Sequence, residues 1–114
     1  MAGRSIDANS LPWSPSRSFP GAQVKHLETR SSHPGLSFHV VKIEAGAEMT
    51  EHTHEQSIET LYVISGRCIL NVDKQQFGGG AGFCATVPAR APHSIKNSDD
   101  ALLELVMVYS PPLI

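Results

Sequence analysis

From residue 36 onward the chain is written in short apolar, β-branched runs, each closed by turn-forming residues. LSFHVVKI (residues 36–43) precedes the turn EAGA. ETLYVI (59–64) and RCILNV (67–72) flank Ser65 and Gly66 and read as two strands around a tight turn. DKQQF (73–77) gives a further hairpin, and GGGAG (78–82) reads as a loop. FCATV (83–87) stops at Pro88, HSIKN (93–97) is a short strand, and NSDD (97–100) is a turn. Residues 101–109, ALLELVMVY, form a long strand that ends before Pro111 and Pro112. No stretch carries a helical period. Many short strands with frequent turn signals predict an all-β sandwich or barrel.

A length of 114 residues suits a single domain. Residues 21–114 are expected to form the barrel, with residues 22–29 as a first short strand and 31–35 as a loop. Residues 1–20 are rich in Ser, Pro and Arg, and Pro12, Pro15 and Pro20 exclude a regular helix there. They read as an N-terminal arm, either flexible or anchored by Trp13 and Phe19 on the barrel or on a partner subunit. Apolar residues make up 40% of the chain and charged residues 18%, the composition of an ordinary soluble globular protein. A net charge of −2 and the lack of any Lys/Arg cluster give no electrostatic basis for binding nucleic acid or an anionic membrane. No signal-peptide core and no membrane-length apolar run is present, so a cytoplasmic protein is expected. Cys68 and Cys84 stand in strand-like runs and are expected as reduced, buried small hydrophobes.

The chemistry is concentrated in residues 46–66, GAEMTEHTHEQSIETLYVISG. His52 and His54 are two apart, a spacing that lets both face one side of an extended chain. Glu59 follows a short polar link, where it would share an inward face with Leu61 and Val63. His93 must come from a distant strand, a closure that a barrel supplies. Three imidazoles and a carboxylate suit one divalent transition metal such as Fe, Mn, Ni, Cu or Zn. No thiolate joins them, which argues against a closed zinc site of the Cys type. Four protein ligands on an octahedral ion leave two positions for water, dioxygen or a chelating substrate. An isolated His-x-His is weak evidence. The whole spacing G-x5-H-x-H-x4-E-x6-G has a chance of arising by accident on the order of 10⁻⁴ at this chain's own residue frequencies.

That spacing resembles the first motif of the cupin family at all its fixed positions: Gly46, His52, His54, Glu59 and Gly66. Gly82, Pro88, His93 and Asn97 match the second motif, G-x5-P-x-G-x2-H-x3-N, while Arg90 stands where the family usually has glycine. The two motifs span residues 46–97, and the flanking strands extend the resemblance to about residues 36–112. It implies a cupin double-stranded β-helix, a jelly-roll barrel, with His52, His54, Glu59 and His93 as metal ligands. Small cupins are often dimers. A homodimer is therefore expected, with the strand at 101–109 covered by a second subunit. Gly46, Gly66 and Gly82 are placed at turns that favour positive φ, and Asn97 reads as a turn former.

Three further residues are candidates for catalysis. His39 could assist proton transfer if it faces inward, the alternative being an outward or simply packed histidine. Arg90 could bind a substrate carboxylate at the barrel mouth, the alternative being a solvated loop arginine. Tyr109, with Met107, Leu105 and Leu103 on its face, either lines the cavity or belongs to the core. His26 and His33 are assigned no catalytic role, Glu51 and Glu55 face solvent, and Tyr62 points away from the cavity. The function expected is that of a small metalloenzyme on a small polar oxygenated substrate (a keto acid, a sugar acid or an enolisable carbonyl). It would act as isomerase, lyase or decarboxylase, or as dioxygenase. The alternative is a non-catalytic module that binds a small molecule or sugar; a storage or structural role is the weakest reading.

Overall fold

The computed structural model describes residues 2–114. Ten strands follow one 3₁₀ turn at Ala8–Ser10: β1 (Ser14–Pro15), β2 (Ala22–Glu28), β3 (Ser37–Ile43), β4 (Glu48–His52), β5 (Ile58–Ser65), β6 (Cys68–Val72), β7 (Gln75–Gly79), β8 (Cys84–Val87), β9 (His93–Lys96) and β10 (Leu103–Ser110). They form two antiparallel sheets, β1-β2-β3-β10-β5-β8 and β4-β9-β6-β7. Among the described residues no helix is long and apolar enough to cross a membrane.

Period-two patterning decides which side chains enter the space between the sheets. β3 buries Ser37, His39, Val41 and Ile43; β10 buries Leu103, Leu105, Met107 and Tyr109; β5 buries Glu59, Leu61 and Val63. The shorter sheet answers with Met49, Cys68, Leu70 and Ile95. Register then sorts the interior along the strands. Leu103 pairs with Ile43 at one end of the six-stranded sheet, whereas Tyr109 pairs with Ser37 and Glu59 at the other. Apolar core therefore fills one end, and titratable side chains gather at the other.

Several turns follow from backbone geometry. Asp73 and Lys74, with φ of 47° and 69°, form the two-residue turn of the β6–β7 hairpin. Gly46, Gly66 and Gly82 all have positive φ, as their placement at turns predicts. The expected pairing around Ser65 and Gly66 is corrected. β5 pairs with β8 and β10, while β6 belongs to the other sheet and pairs with β7 and β9. The chain changes sheets at Gly66, where a Cβ would lie 2.5 Å from the Leu102 carbonyl oxygen, so only glycine lets the crossing pass so close. Gly78 and Gly79 continue β7 rather than starting a loop. Strand β4, which carries the first ligand, had no separate apolar run to announce it because only Met49 is buried in it. Cys68 is buried as expected, but Cys84 is exposed. It pairs with the outward-facing Tyr62 on the outside of the longer sheet.

The arm runs along the barrel's own sheet. Ser14 and Pro15 pair with Val24 and Gln23. The Trp13 ring lies 4.7 Å from Lys25 Nζ and 4.1 Å from Lys42 Nζ, two cation–π contacts. Lys25 Nζ also donates to the Ala8 carbonyl at 2.8 Å, and Phe19 packs against the core.

Leu70 is 0% exposed on the shorter sheet and faces the longer one. Leu70→Ala is expected to destabilise the fold by about 2–5 kcal/mol, through lost burial plus the cavity left behind. The shift of the denaturant midpoint at constant m-value measures it.

Candidate metal centre

Each of the four candidate ligand residues, His52, His54, Glu59 and His93, is delivered at or just beyond a strand end at the polar end of the barrel. His52 closes β4 and His54 lies just beyond it. The β4–β9 register is irregular between Met49 and His52, a local break of the kind that re-aims side chains beside sites. The His54 carbonyl accepts the Arg90 N–H at 2.7 Å, which ties this segment to the loop before β9. Glu59 is the second residue of β5, and His93 opens β9 opposite His52.

One ligand atom from each of His52, His54, Glu59 and His93 can be chosen so that all four lie within 4.8 Å of one another. Two ligands about 2.1 Å from one ion are at most about 4.2 Å apart, so the donors need to draw in only slightly. His52 Nδ1 lies 2.7 Å from the Thr50 carbonyl oxygen and His93 Nδ1 lies 2.9 Å from that of Ala91. A carbonyl only accepts, so both Nδ1 atoms carry hydrogen and both Nε2 lone pairs are left for a ligand. Glu59 Oε1 stands 3.4 Å from His54 Nε2 and 3.7 Å from His93 Nε2. His54 Nε2, His93 Nε2 and Glu59 Oε2 are buried with no hydrogen-bond partner. Orphaned donors and acceptors of this kind are rare in native interiors, and a divalent ion would satisfy all three.

Electrostatics keep the carboxylate ready to ligate. Burial pushes the Glu59 carboxyl up, but the neighbouring His54 and His93 imidazoles outweigh it and hold it at about 2. Burial pulls His93 down, and the Glu59 carboxylate together with the Ala91 carbonyl turns the balance upward. Burial lowers His52. Burial and the Glu59 charge keep the Tyr109 phenol well above its ordinary range, so it stays a hydrogen-bond donor.

The buried Glu59 and His93 stand behind His52 and His54, which line a cavity of about 940 Å³. Its walls include Phe19, Val24, Val41, Met49 and Met107, and its polar lining includes Arg17, His26, His39 and Tyr109. Phe19 of the arm packs on His52, with ring centroids 4.9 Å apart.

The stretch 39–109, more than half of the chain, matches the family model described as "Cupin domain". The chain belongs to the cupin family. A curated relative, an uncharacterized protein of Methanocaldococcus jannaschii, is 27% identical over 70 residues. That match covers 61% of this chain, which spans 56% of the relative's length. Among solved structures, KdgF from Halomonas sp. superposes with a TM-score of 0.86 at 22% identity, covering 96% of this chain and 94% of that one. A predicted oxalate decarboxylase from Thermotoga maritima superposes with a TM-score of 0.85 at 18% identity, covering 94% and 98%. At these identities the two structures show the shared fold.

Within this cupin the other candidates separate. Tyr109 lines the cavity, 5.1 Å from the His54 ring between centroids. His39 faces inward at 2% exposure, not outward. The inward alternation of β3 reaches it at the polar end of the strand, where no apolar neighbour is needed. Arg90 is exposed and lines a surface depression with Val72, Asp73 and Pro88, and it is not among the residues that line the cavity beside His52 and His54. Its φ of 67° is the left-handed conformation that glycine adopts freely and a side-chain-bearing residue adopts at a cost. Asn97 is fully buried, its amide donating to the carbonyls of Ile43 and Ala101 while its oxygen accepts the Asp99 N–H. It is a turn former, and it also clasps β3. Glu51, Glu55 and Tyr62 are exposed. Two residues with no assigned site role do line the cavity: Arg17, brought by the arm, and His26, which pairs with His39 across β2 and β3. Alternation within β2 could put His26 on an inner face, but only the β2–β3 register sets it opposite His39.

Arg90→Gly is expected to stabilise the fold modestly. Relief of the left-handed conformation, about 1–2 kcal/mol, is partly offset by the greater freedom of glycine in the unfolded chain, about 0.4–1 kcal/mol. Paired denaturation curves of the two proteins check the sign.

Proposed function

We propose that this cupin is a metal-dependent enzyme that transforms a small oxygenated carbonyl or carboxylate compound. His52, His54, Glu59 and His93 would hold one divalent transition metal. The observation that carries the reading is the convergence of four ligand atoms, three of them from buried and otherwise unsatisfied groups, beside a cavity that His52 and His54 line. An ion bound there supplies Lewis acidity toward substrate oxygens. Around it, Glu59 is held ionised, and the Nδ1–carbonyl contacts of His52 and His93 leave Nε2 as the nitrogen that would face the ion. Tyr109 offers a phenol hydrogen to a substrate oxygen, and Arg17 brings positive charge to the cavity wall. Met49, Met107, Val41 and Phe19 restrict water around the reacting groups. Proton-transfer chemistry, as in an isomerase, lyase or decarboxylase, is favoured over dioxygen chemistry because the cavity carries histidines other than the ligands. The description of the Thermotoga maritima protein as a predicted oxalate decarboxylase is compatible with that reaction class.

His52→Ala and His93→Ala are expected to abolish metal retention while the barrel still folds, as read by elemental analysis and circular dichroism. The wild-type chain should gain about 2.7 kcal/mol of stability at a metal concentration 100 times Kd. A wild-type protein that retains no metal and is not stabilised by Mn, Fe, Ni or Zn sinks the reading.

We also infer a homodimer through the outer face of the six-stranded sheet. Ile58, Tyr62 and Ile64 stand on the outward positions of β5 at 46–48% exposure, beside Val106 and Val108 of β10. An exposed apolar sheet face of this kind suits a second copy. Sedimentation equilibrium should give twice the mass of one chain, and Tyr62→Lys should halve it. A monomeric wild-type protein at micromolar concentration refutes the inference.

A further inference from the structure

The cavity carries a second pair of imidazoles beside the metal ligands. His39 Nδ1 lies 2.7 Å from His26 Nδ1, with the rings edge to face and their centroids 4.8 Å apart. Neutral imidazole has one donor and one acceptor nitrogen, so one ring donates, the other accepts, and the pair shares a single hydrogen. His39 is 2% exposed, and its Nε2 is buried with no hydrogen-bond partner. Its ring lies 5.5 Å from that of Tyr109, which in turn meets the His54 ring. His26 is exposed, yet lines the same cavity as His52, His54 and Tyr109. An unpartnered nitrogen in the interior and a hydrated ring outside are the two ends of a proton path.

We propose that His39 and His26 form a proton relay between the cavity floor and solvent, with His39 Nε2 exchanging protons with a carbon acid bound at the metal centre. The relay rests on the metal-dependent reading above and names the groups that would move its protons. In the receptive tautomer, His39 Nδ1–H donates to His26 Nδ1, and His26 carries its single N–H hydrogen on Nε2. The His39 Nε2 lone pair takes a proton from the substrate carbon next to a carbonyl. The electron pair of that C–H bond moves into the carbonyl, giving the enolate. The Nδ1 hydrogen of His39 crosses to His26 Nδ1, and His26 releases its Nε2 hydrogen to water. One proton has passed from carbon to solvent, nothing has been oxidised or reduced, and both rings are neutral again. The reverse sequence returns a proton to carbon.

The surroundings suit a group that passes protons on rather than holding them. Burial and the adjacent His26 hold His39 down at about 4, opposed by the Glu59 carboxylate. Burial and the Arg17 guanidinium lower His26 in turn. Both shifts bias the rings toward their neutral forms.

The probe is pyruvate, a small carbonyl compound with exchangeable C–H bonds and a carboxylate. The zinc-loaded full chain in D₂O should replace the methyl hydrogens of pyruvate above the buffer background, as followed by proton NMR. His26→Ala should slow this at least tenfold, and added imidazole should restore it by replacing the outer half of the relay. His39→Gln, which keeps a polar side chain but cannot relay, should lose exchange at least 100-fold with no rescue by imidazole. Zinc content is measured first on every sample. A wild-type chain that takes up no zinc overturns the metal reading and the relay with it. The relay alone is overturned by a zinc-loaded wild-type chain that does not exchange, by His26→Ala at the wild-type rate, or by a defect that imidazole leaves unchanged.

Discussion

A carboxylate at 1% exposure surrounded by three imidazoles is the constraint around which the polar end of this barrel is organised. An isolated ionised carboxylate in such a place is strongly disfavoured unless it is paired. Glu59 stays ionised because His54 and His93 face it, and the three come from separate positions along the chain. Their convergence ties β5 and β9, which belong to opposite sheets, to the segment after β4. The same arrangement leaves buried nitrogen and oxygen atoms without partners. The polar end thus gathers titratable side chains at one point, while the apolar end, from Ile43 to Leu103, supplies burial.

Turn chemistry makes that convergence reachable. Gly66 allows β5 and β6 to enter different sheets, which frees β5 to pair with β10 and carry Glu59 beside Tyr109. Asn97 bridges the end of β3 to the turn before β10 through two donated hydrogen bonds. The left-handed Arg90 shapes the loop that leads to His93, and its N–H holds the His54 carbonyl.

The arm contributes to the site as well as to the sheet. Trp13 is held by Lys25 and Lys42 on the outside of the barrel, and residues 14–19 then run over the cavity. Phe19 covers the His52 ring, and Arg17 adds a cation to the lining. The cavity wall is thereby built partly from residues outside the stretch that matches the family model, 39–109.

The sequence by itself determined the strand-rich fold, the inward face of β5, the turn glycines and the identity of the four converging residues. These depend on period-two alternation and on motif spacing, both local properties of the chain. It did not reveal that RCILNV pairs away from ETLYVI, that Cys84 is exposed, or that Arg90 lines a depression other than the cavity. Nor did it reveal that His26 and His39 share a hydrogen or that Arg17 reaches the site. Those features depend on which strands become neighbours and in what register. Pairing between β2 and β3, and between β5 and β10, joins residues far apart in the chain, and a shift of one residue would turn every side chain to the opposite face. Only the closed tertiary structure settles that register, because only there is the apolar face of each strand matched against all its partners at once.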